Sequence, residues 1–234
     1  MTNAIAITGG TKGIGRAIIS LFADKGFDII TCSRSKADLE GLKAELNVKD
    51  PDVHFEGVEA DLSTKEGVKK FIEYAQTHST GLQVLINNAG VFIPGQIYTE
   101  EEGVFEQTMN TNVTSAYEIT RGLIHSIMNN KGHVFNMCST ASIMPYVNGG
   151  SYCVSKYALL GMTKVLREEM KEHGVRVTAI MPGATMTASW AGTELPEDRF
   201  MNAEDVAHAV WGAYALSARS VVEEIIIRPQ LGDI

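Results

Sequence analysis

Short apolar runs and longer amphipathic stretches alternate along the whole chain. The runs Ala4 to Thr8, Asp28 to Ser33, Val53 to Val58, Val84 to Asn87, His133 to Cys138, Val175 to Met181 and Glu223 to Arg228 are rich in Ile, Val and Ala. Each predicts a strand. Between them, helical spacing of apolar positions predicts helices over Gly13 to Lys25, Lys36 to Leu46, Lys65 to His78, Val104 to Asn129, Ser151 to His173 and Ala203 to Leu216. This is the rhythm of βαβ crossovers, in which each helix is laid onto the sheet. Strands of this composition therefore form a parallel sheet covered on both faces. Right-handed crossovers place a ligand outside the C-terminal strand ends, where the strand order reverses. Thr8, Ser33, Asn87, Cys138 and Met181 thus lead into the expected crevice.

The expected fold class is α/β, a doubly wound, seven-stranded parallel sheet of Rossmann type in a single domain spanning 1–234. A chain of 234 residues, 44% apolar and 21% charged, has enough material for one such core and is unlike a disordered or fibrous composition. The segment from Gly183 to about Phe200 breaks the rhythm. Rich in Thr, Ala, Gly and Pro, it sits between a strand end and a helix, where a substrate loop (about 183–200) is expected.

Charge and special residues narrow the partners. The net charge is −8 and the Lys and Arg residues are scattered, so no basic stripe is offered to nucleic acid. Met1 runs directly into an apolar strand without the flanks of a signal, and no apolar run approaches the ~18 residues of a membrane span. A cytoplasmic protein with no membrane partner is expected. Cys32, Cys138 and Cys153 are odd in number and widely spaced, which suits packing thiols in a reducing compartment. The six histidines never fall at metal-ligand spacing, so no metal is expected.

The first strand turns into the first helix through Thr8-Gly9-Gly10-Thr11-Lys12-Gly13-Ile14-Gly15. Glycines allow a sharp turn and let a dinucleotide pyrophosphate approach backbone N–H groups at a helix N-terminus. Where an NAD-binding chain tends to carry an acidic residue for the ribose 2′-OH, at the end of the second strand, this one reads Cys32-Ser33-Arg34-Ser35. No carboxylate there repels a 2′-phosphate. Arg34 can pair with it and Lys12 can reach the same group, so NADP(H) is the expected cofactor.

Tyr152 and Lys156, at i and i+4, emerge on one face of a helix about one turn apart. A phenol is a poor proton shuttle at neutral pH, but a neighbouring ammonium favours its ionised form and makes it useful in general acid-base chemistry. Ser139 ends the preceding strand. Together with Thr8-Gly9-x-x-x-Gly13-x-Gly15, Asp61, Asn87-Asn88-Ala89-Gly90, Asn112, and Pro182-Gly183 followed by Thr187, these residues make the chain resemble the short-chain dehydrogenase/reductase family over essentially its whole length.

The resemblance implies roles. Tyr152 would protonate a carbonyl oxygen that Ser139 also hydrogen-bonds, while NADPH delivers hydride to the carbon. Lys156 would hold the nicotinamide ribose and tune the phenol, and Asn112 would keep a water linking Lys156 to solvent. Asp61 would meet the adenine edge, and Leu62 beside it would also bind the cofactor. Asn88, Ala89 and Gly90 would line the cofactor floor, and Thr187 would contact the carboxamide. Gly9, Thr11, Ile14, Ser33, Pro182, Gly183 and Thr185 are also placed against the cofactor, and Asn87 against the sheet.

A small-molecule carbonyl is the implied substrate. The short 183–200 segment suggests an open pocket, and Trp190 within it can either stack on a planar ring such as a pterin or simply close over an apolar ligand. The last strand, ending Glu-Glu-Ile-Ile-Ile-Arg-Pro, lacks the ending of many acyl-carrier-protein reductases, and with Gly232-Asp233-Ile234 it looks like the bacterial sepiapterin reductase branch. A 3-oxoacyl thioester reductase, an alcohol dehydrogenase of the same family and a non-catalytic NADP-binding regulator remain alternatives. The helices Val104 to Asn129 and Ser151 to His173 would pack against a neighbour in a homodimer or homotetramer, by the family's habit.

Overall fold

The computed structural model describes residues 3–79, 81–187, 190 and 192–234. Seven strands, β1 (Ala4–Thr8), β2 (Asp28–Ser33), β3 (Phe55–Glu59), β4 (Leu82–Asn87), β5 (His133–Met137), β6 (Arg176–Pro182) and β7 (Glu224–Ile227), form one parallel sheet in the order 3-2-1-4-5-6-7. The helices are α1 (Gly13–Ala23), α2 (Lys36–Lys49), α3 (Lys65–His78), α4 (Val104–Met109), α5 (Ser115–Asn129), α6 (Gly150–Met170) and α7 (Ala203–Tyr214). The order reverses between β1 and β4, so the crevice opens where Thr8, Asn87 and Met137 end their strands.

The two-residue period of the strands divides the core between the faces of the sheet. Ile5, Ile7, Val84 and Ile86 point to one face and meet Ile18 and Phe22 of α1 and Val206 and Val210 of α7. Ala6, Leu85, Val134 and Val177 point to the other and meet Phe71 of α3 and Ile119 and Leu123 of α5. Edge contacts of Phe22 with Phe27 and Trp211, at 5.2 and 5.3 Å between ring centroids, lock α1 against α7.

A polar ladder crosses the sheet centre directly below the crevice. Asn87 Nδ2 donates to Thr120 Oγ1 (2.9 Å) and to Asn136 Oδ1 (2.8 Å), and Asn136 Nδ2 donates to Thr163 Oγ1 (2.8 Å). All four side chains are buried, so the ladder ties α5 and α6 to β4 and β5. Asn87 serves the sheet, as expected.

Element boundaries shift by up to three residues from the sequence reading, α2 running on to Lys49 and β4 starting at Leu82, and two differences have a plain cause. β3 starts at Phe55 and ends at Glu59 because its register is set by β2, with Phe55 opposite Ile29 and Glu59 opposite Ser33. The expected helix from Val104 to Asn129 is interrupted at Asn110–Thr114 by a π-helical turn. One extra residue in a helical turn leaves the apolar rhythm nearly intact, so periodicity does not report it. The turn buries Asn112 and aims it at the loop after β4.

Candidate active site

The glycine loop presents α1 with a bare N-terminus. Lys12, its N-cap residue, makes no side-chain cap, and the first turn holds no acidic residue, so those N–H groups stay available to an anion. Gly9 and Gly13 have φ of +66° and +53°, a region that other residues rarely adopt. A Cβ on Gly15 would sit 2.4 Å from Gly9 O and 2.6 Å from Asn88 Nδ2. Thr8 and Asn88 explain that crowding. Thr8 Oγ1 accepts from the N–H groups of Asn88 (3.0 Å) and Ala89 (2.9 Å), while Asn88 Nδ2 donates to the carbonyls of Thr8 (2.9 Å) and Gly9 (3.0 Å). The glycine turn and the Asn88 to Gly90 turn are thereby stitched edge to edge into a cradle to which Gly9, Gly10, Gly13 and Gly15 contribute only backbone. The cradle fits a dinucleotide.

At the adenosine end, Thr11 Oγ1 donates to Ser33 Oγ (3.3 Å), which also accepts from the Ser35 N–H (3.2 Å). Arg34 is exposed beside them. Lys12 Nζ pairs with Asp38 Oδ2 at 2.8 Å, so one of the two expected phosphate cations already has an anionic partner on α2. Asp61 lies at the rim. Its Oδ1 accepts from the N–H and hydroxyl of Ser63, and the backbone bond, with a smaller contribution from Arg34, holds its carboxyl below the ordinary range. Only Oδ2 is left for an adenine edge, and Leu62 beside it is buried.

The side chains expected to be catalytic gather above β4 to β6. Lys156, buried in the second turn of α6, donates to Met137 O at 2.7 Å, and its Nζ lies 5.6 Å from the centre of the Tyr152 ring. A Cβ on Gly90 would meet Asn112 Oδ1 at 3.3 Å and Lys156 Nζ at 3.6 Å, which brings the expected cofactor floor, Asn112 and Lys156 to one point. Ser139 caps the 3₁₀ turn Thr140–Ser142, accepting from Ala141 N–H at 3.1 Å, so its own hydroxyl proton remains free to donate.

Asn112 does more structural work than the sequence suggests. Oδ1 accepts from Val91 N–H (2.7 Å), and Nδ2 donates to Val91 O (3.0 Å) and Ser155 Oγ (2.9 Å). Its amide is filled except for one lone pair of Oδ1, the only side-chain position left for the expected water.

The cavity in front of these groups is about 380 Å³. Ser139, Tyr152 and Lys156 line it together with Ile14, Asn88, Gly90, Pro182, Gly183, Thr185, Thr187 and Trp190. Thr187 also closes over the glycine loop, its Cγ2 3.0 Å from where a Cβ on Gly13 would be. Trp190 lies 5.0 Å from Phe200 between ring centroids, the two rings tilted by 60°.

Phe92, Tyr146 and Asp233 are among the lining residues that the sequence reading did not name as site residues. Phe92 meets the Tyr152 ring edge-on at 5.0 Å. Tyr146 faces it from the opposite loop, its hydroxyl pushed by burial well above the usual phenol range. Asp233 arrives from the C-terminal tail: β7 ends beside β6, Gly183 N–H bonds to Ile227 O (2.8 Å), and Arg228 holds the Asp233 carboxylate at 3.2 Å. A Cβ on Gly183 would approach Asp233 Oδ1 to 3.0 Å, so this glycine makes room for the tail. The pairing of β7 with β6 is the signal that would have found Asp233.

Fold, glycine cradle and Tyr152-x-x-x-Lys156 placement define a class, and comparison with known proteins agrees. The short chain dehydrogenase family model matches residues 3–198, and the chain belongs to that family. A sepiapterin reductase from Chlorobaculum tepidum is 33% identical, covering 100% of this chain and 99% of that protein. L-sorbose reductase from Gluconobacter frateurii, solved with NADPH and L-sorbose, superposes with a TM-score of 0.88 at 25% identity over 97% of this chain and 96% of that one. An alcohol dehydrogenase from the archaeon Thermococcus sibiricus gives a TM-score of 0.90 at 23% identity over 98% and 97%, a likeness of fold.

Proposed function

We propose that the chain is an NADPH-dependent carbonyl reductase for a small ketone or dicarbonyl, with a sepiapterin-like compound as the specific substrate. The observation that carries this reading is the convergence, in the cavity beside the glycine cradle, of Tyr152 with Lys156 near its ring and Ser139 with an unspent hydroxyl proton. The bound cofactor supplies hydride. Tyr152 gives its proton to the carbonyl oxygen, and Ser139 donates a hydrogen bond that fixes that oxygen and stabilises the charge developing on it. Lys156 and the Asn88 to Gly90 turn hold the nicotinamide end. Lys12 and Arg34 hold a 2′-phosphate, Lys12 exchanging Asp38 for it.

The pterin-like part of the reading rests on the walls. Trp190 and Phe92 offer flat apolar faces, and Asp233 offers carboxylate oxygens that suit the paired N–H donors of an aminopyrimidinone ring. Likeness to the C. tepidum sepiapterin reductase supports it. The test is loss of NADPH absorbance with a panel of carbonyls, for the native protein and Tyr152→Phe. The variant is expected to bind NADPH normally and turn over ~10² to 10⁴-fold more slowly, the usual contribution of positioned proton transfer. Equal rates, or a preference for NADH, would overturn the reading. Turnover of acetoacetyl thioesters but never of sepiapterin or diketones would move the substrate to the thioester class.

The same reading includes a cytoplasmic homodimer or homotetramer. Phe105 of α4, Tyr117 of α5 and Val154, Tyr157 and Val165 of α6 are exposed apolar side chains on the helices expected to pair, and the three buried cysteines are free thiols. Light scattering that returned a monomer mass at micromolar concentration would remove the assembly.

A further inference from the structure

The helix that carries Tyr152 and Lys156 lacks a cap of its own. Its N-cap residue is Gly149, which has no side chain, and its first turn holds no acidic residue. Asn148, just before, sits at φ +67°, a conformation in which the chain enters the helix sharply. A helix end with unsatisfied N–H groups frays, and here the fraying end is the one that bears the phenol.

The missing cap comes from 51 residues upstream. Glu100 Oε1 accepts from the Ser151 N–H at 2.7 Å, and Oε2 takes a short hydrogen bond from Ser151 Oγ. The surroundings are shaped for that carboxylate. A Cβ on Gly150 would lie 2.0 Å from Glu100 Oε1 and 2.7 Å from Gly95 O, and one on Gly95 would lie 2.7 Å from Glu100 Cγ. Two further bonds run in parallel, from Gly95 N–H to Asn148 O (3.0 Å) and from Gln96 Nε2 to Asn148 Oδ1 (3.0 Å). The same loop carries Phe92, whose ring abuts Tyr152.

From this geometry we infer that Glu100 is a positioning residue for Tyr152: it caps the first turn of α6 from outside and clamps that turn to the loop that packs Phe92 on the phenol. The inference rests on Tyr152 being the proton donor. Glu100 touches none of the reacting atoms, so its removal acts through the placement of the phenol. Displacement of about 1 Å at a reacting group can cost ~10²-fold in rate.

The experiment compares Glu100→Ala, Glu100→Gln and Gly150→Ala with the native protein and Tyr152→Phe, using the best carbonyl of the panel. Glu100→Ala is expected to lower kcat ten- to a hundredfold, with KM for the carbonyl and Kd for NADPH, read by its fluorescence, changed less than threefold. Glutamine can accept from the Ser151 N–H and donate to Ser151 Oγ, so Glu100→Gln should recover most of kcat. Gly150→Ala, whose methyl group displaces the carboxylate, should repeat the loss if Glu100→Ala fails to fold. Glu100→Ala with native kcat, a loss shared equally by NADPH binding, or Glu100→Gln no better than Glu100→Ala would each overturn the inference. The two ideas fail separately: an active Tyr152→Phe removes the proton donor, whereas an inactive Tyr152→Phe beside a fully active Glu100→Ala removes only the clamp.

Discussion

Replacing Thr8 with valine tests how much of the cofactor cradle hangs on one hydroxyl. Thr8 is buried at the C-terminal end of β1, and its Oγ1 accepts from two consecutive backbone N–H groups, those of Asn88 and Ala89. Valine keeps the shape and removes the acceptor. A buried donor left without a partner costs ~1 to 3 kcal/mol, and Asn88 and Ala89 are only half-buried, so water recovers part of that cost. The low end for each of the two bonds gives about 2 kcal/mol in all. For a chain of this length, each kcal/mol moves Tm by roughly 2 to 4 °C, so the variant should melt about 4 to 8 °C below the native protein. Because the displaced turn is the proposed cofactor floor, saturating NADPH should also add less stability to the variant. Thr8→Ser retains the hydroxyl and should keep most of both. The assay is thermal melting by circular dichroism with and without NADPH. A Thr8→Val variant melting within a degree of native, or Thr8→Ser as damaged as Thr8→Val, would refute the reasoning.

His133 and Arg34 give two further expectations. Burial, with a smaller contribution from Arg176, pushes the His133 imidazole down to about 2, so on acidification the unfolded chain takes up a proton that the native state refuses. Stability attributable to this group is complete above pH ~6.5 and falls as pH drops below it, by about 2 kcal/mol between pH 7 and 5. Urea unfolding of His133→Leu at both values should show that dependence reduced by this amount, and an unchanged slope would contradict the assignment. Arg34→Ala should weaken NADPH binding ~10- to 100-fold, the worth of a charge-assisted hydrogen bond, while leaving NADH within twofold. Equal losses for both cofactors in fluorescence titration would move Arg34 away from the 2′-phosphate.

What the sequence revealed follows from how each feature is encoded. β1, β4 and β5 are buried on both faces and read as nearly unbroken apolar runs, so they were found within a residue or two. Tyr152 and Lys156 were legible because helical spacing alone puts them on one face. The π turn at Asn110–Thr114 was not, since its cause is a tertiary demand, the tethering of Asn112 to Val91 and Ser155. Lys12 was visible as a cation, but its pairing with Asp38 depends on α2 returning to the glycine loop. Glu100, Phe92 and Asp233 reach the site from loops and a tail whose paths no periodicity records.

The tail past β7 sets a practical limit on handling this protein. Asp233 and Ile234 form part of the cavity wall, and Gly183 is bare where Asp233 crosses it. Any segment joined after Ile234 would therefore start in the cavity wall and crowd a ligand held there. Joined ahead of Asn3 it would leave from the opposite end of the sheet, where β1 begins beside Gly81, away from the described residues that line the cavity. Of two fusions equally well folded, only the second would report the specificity of the unmodified protein.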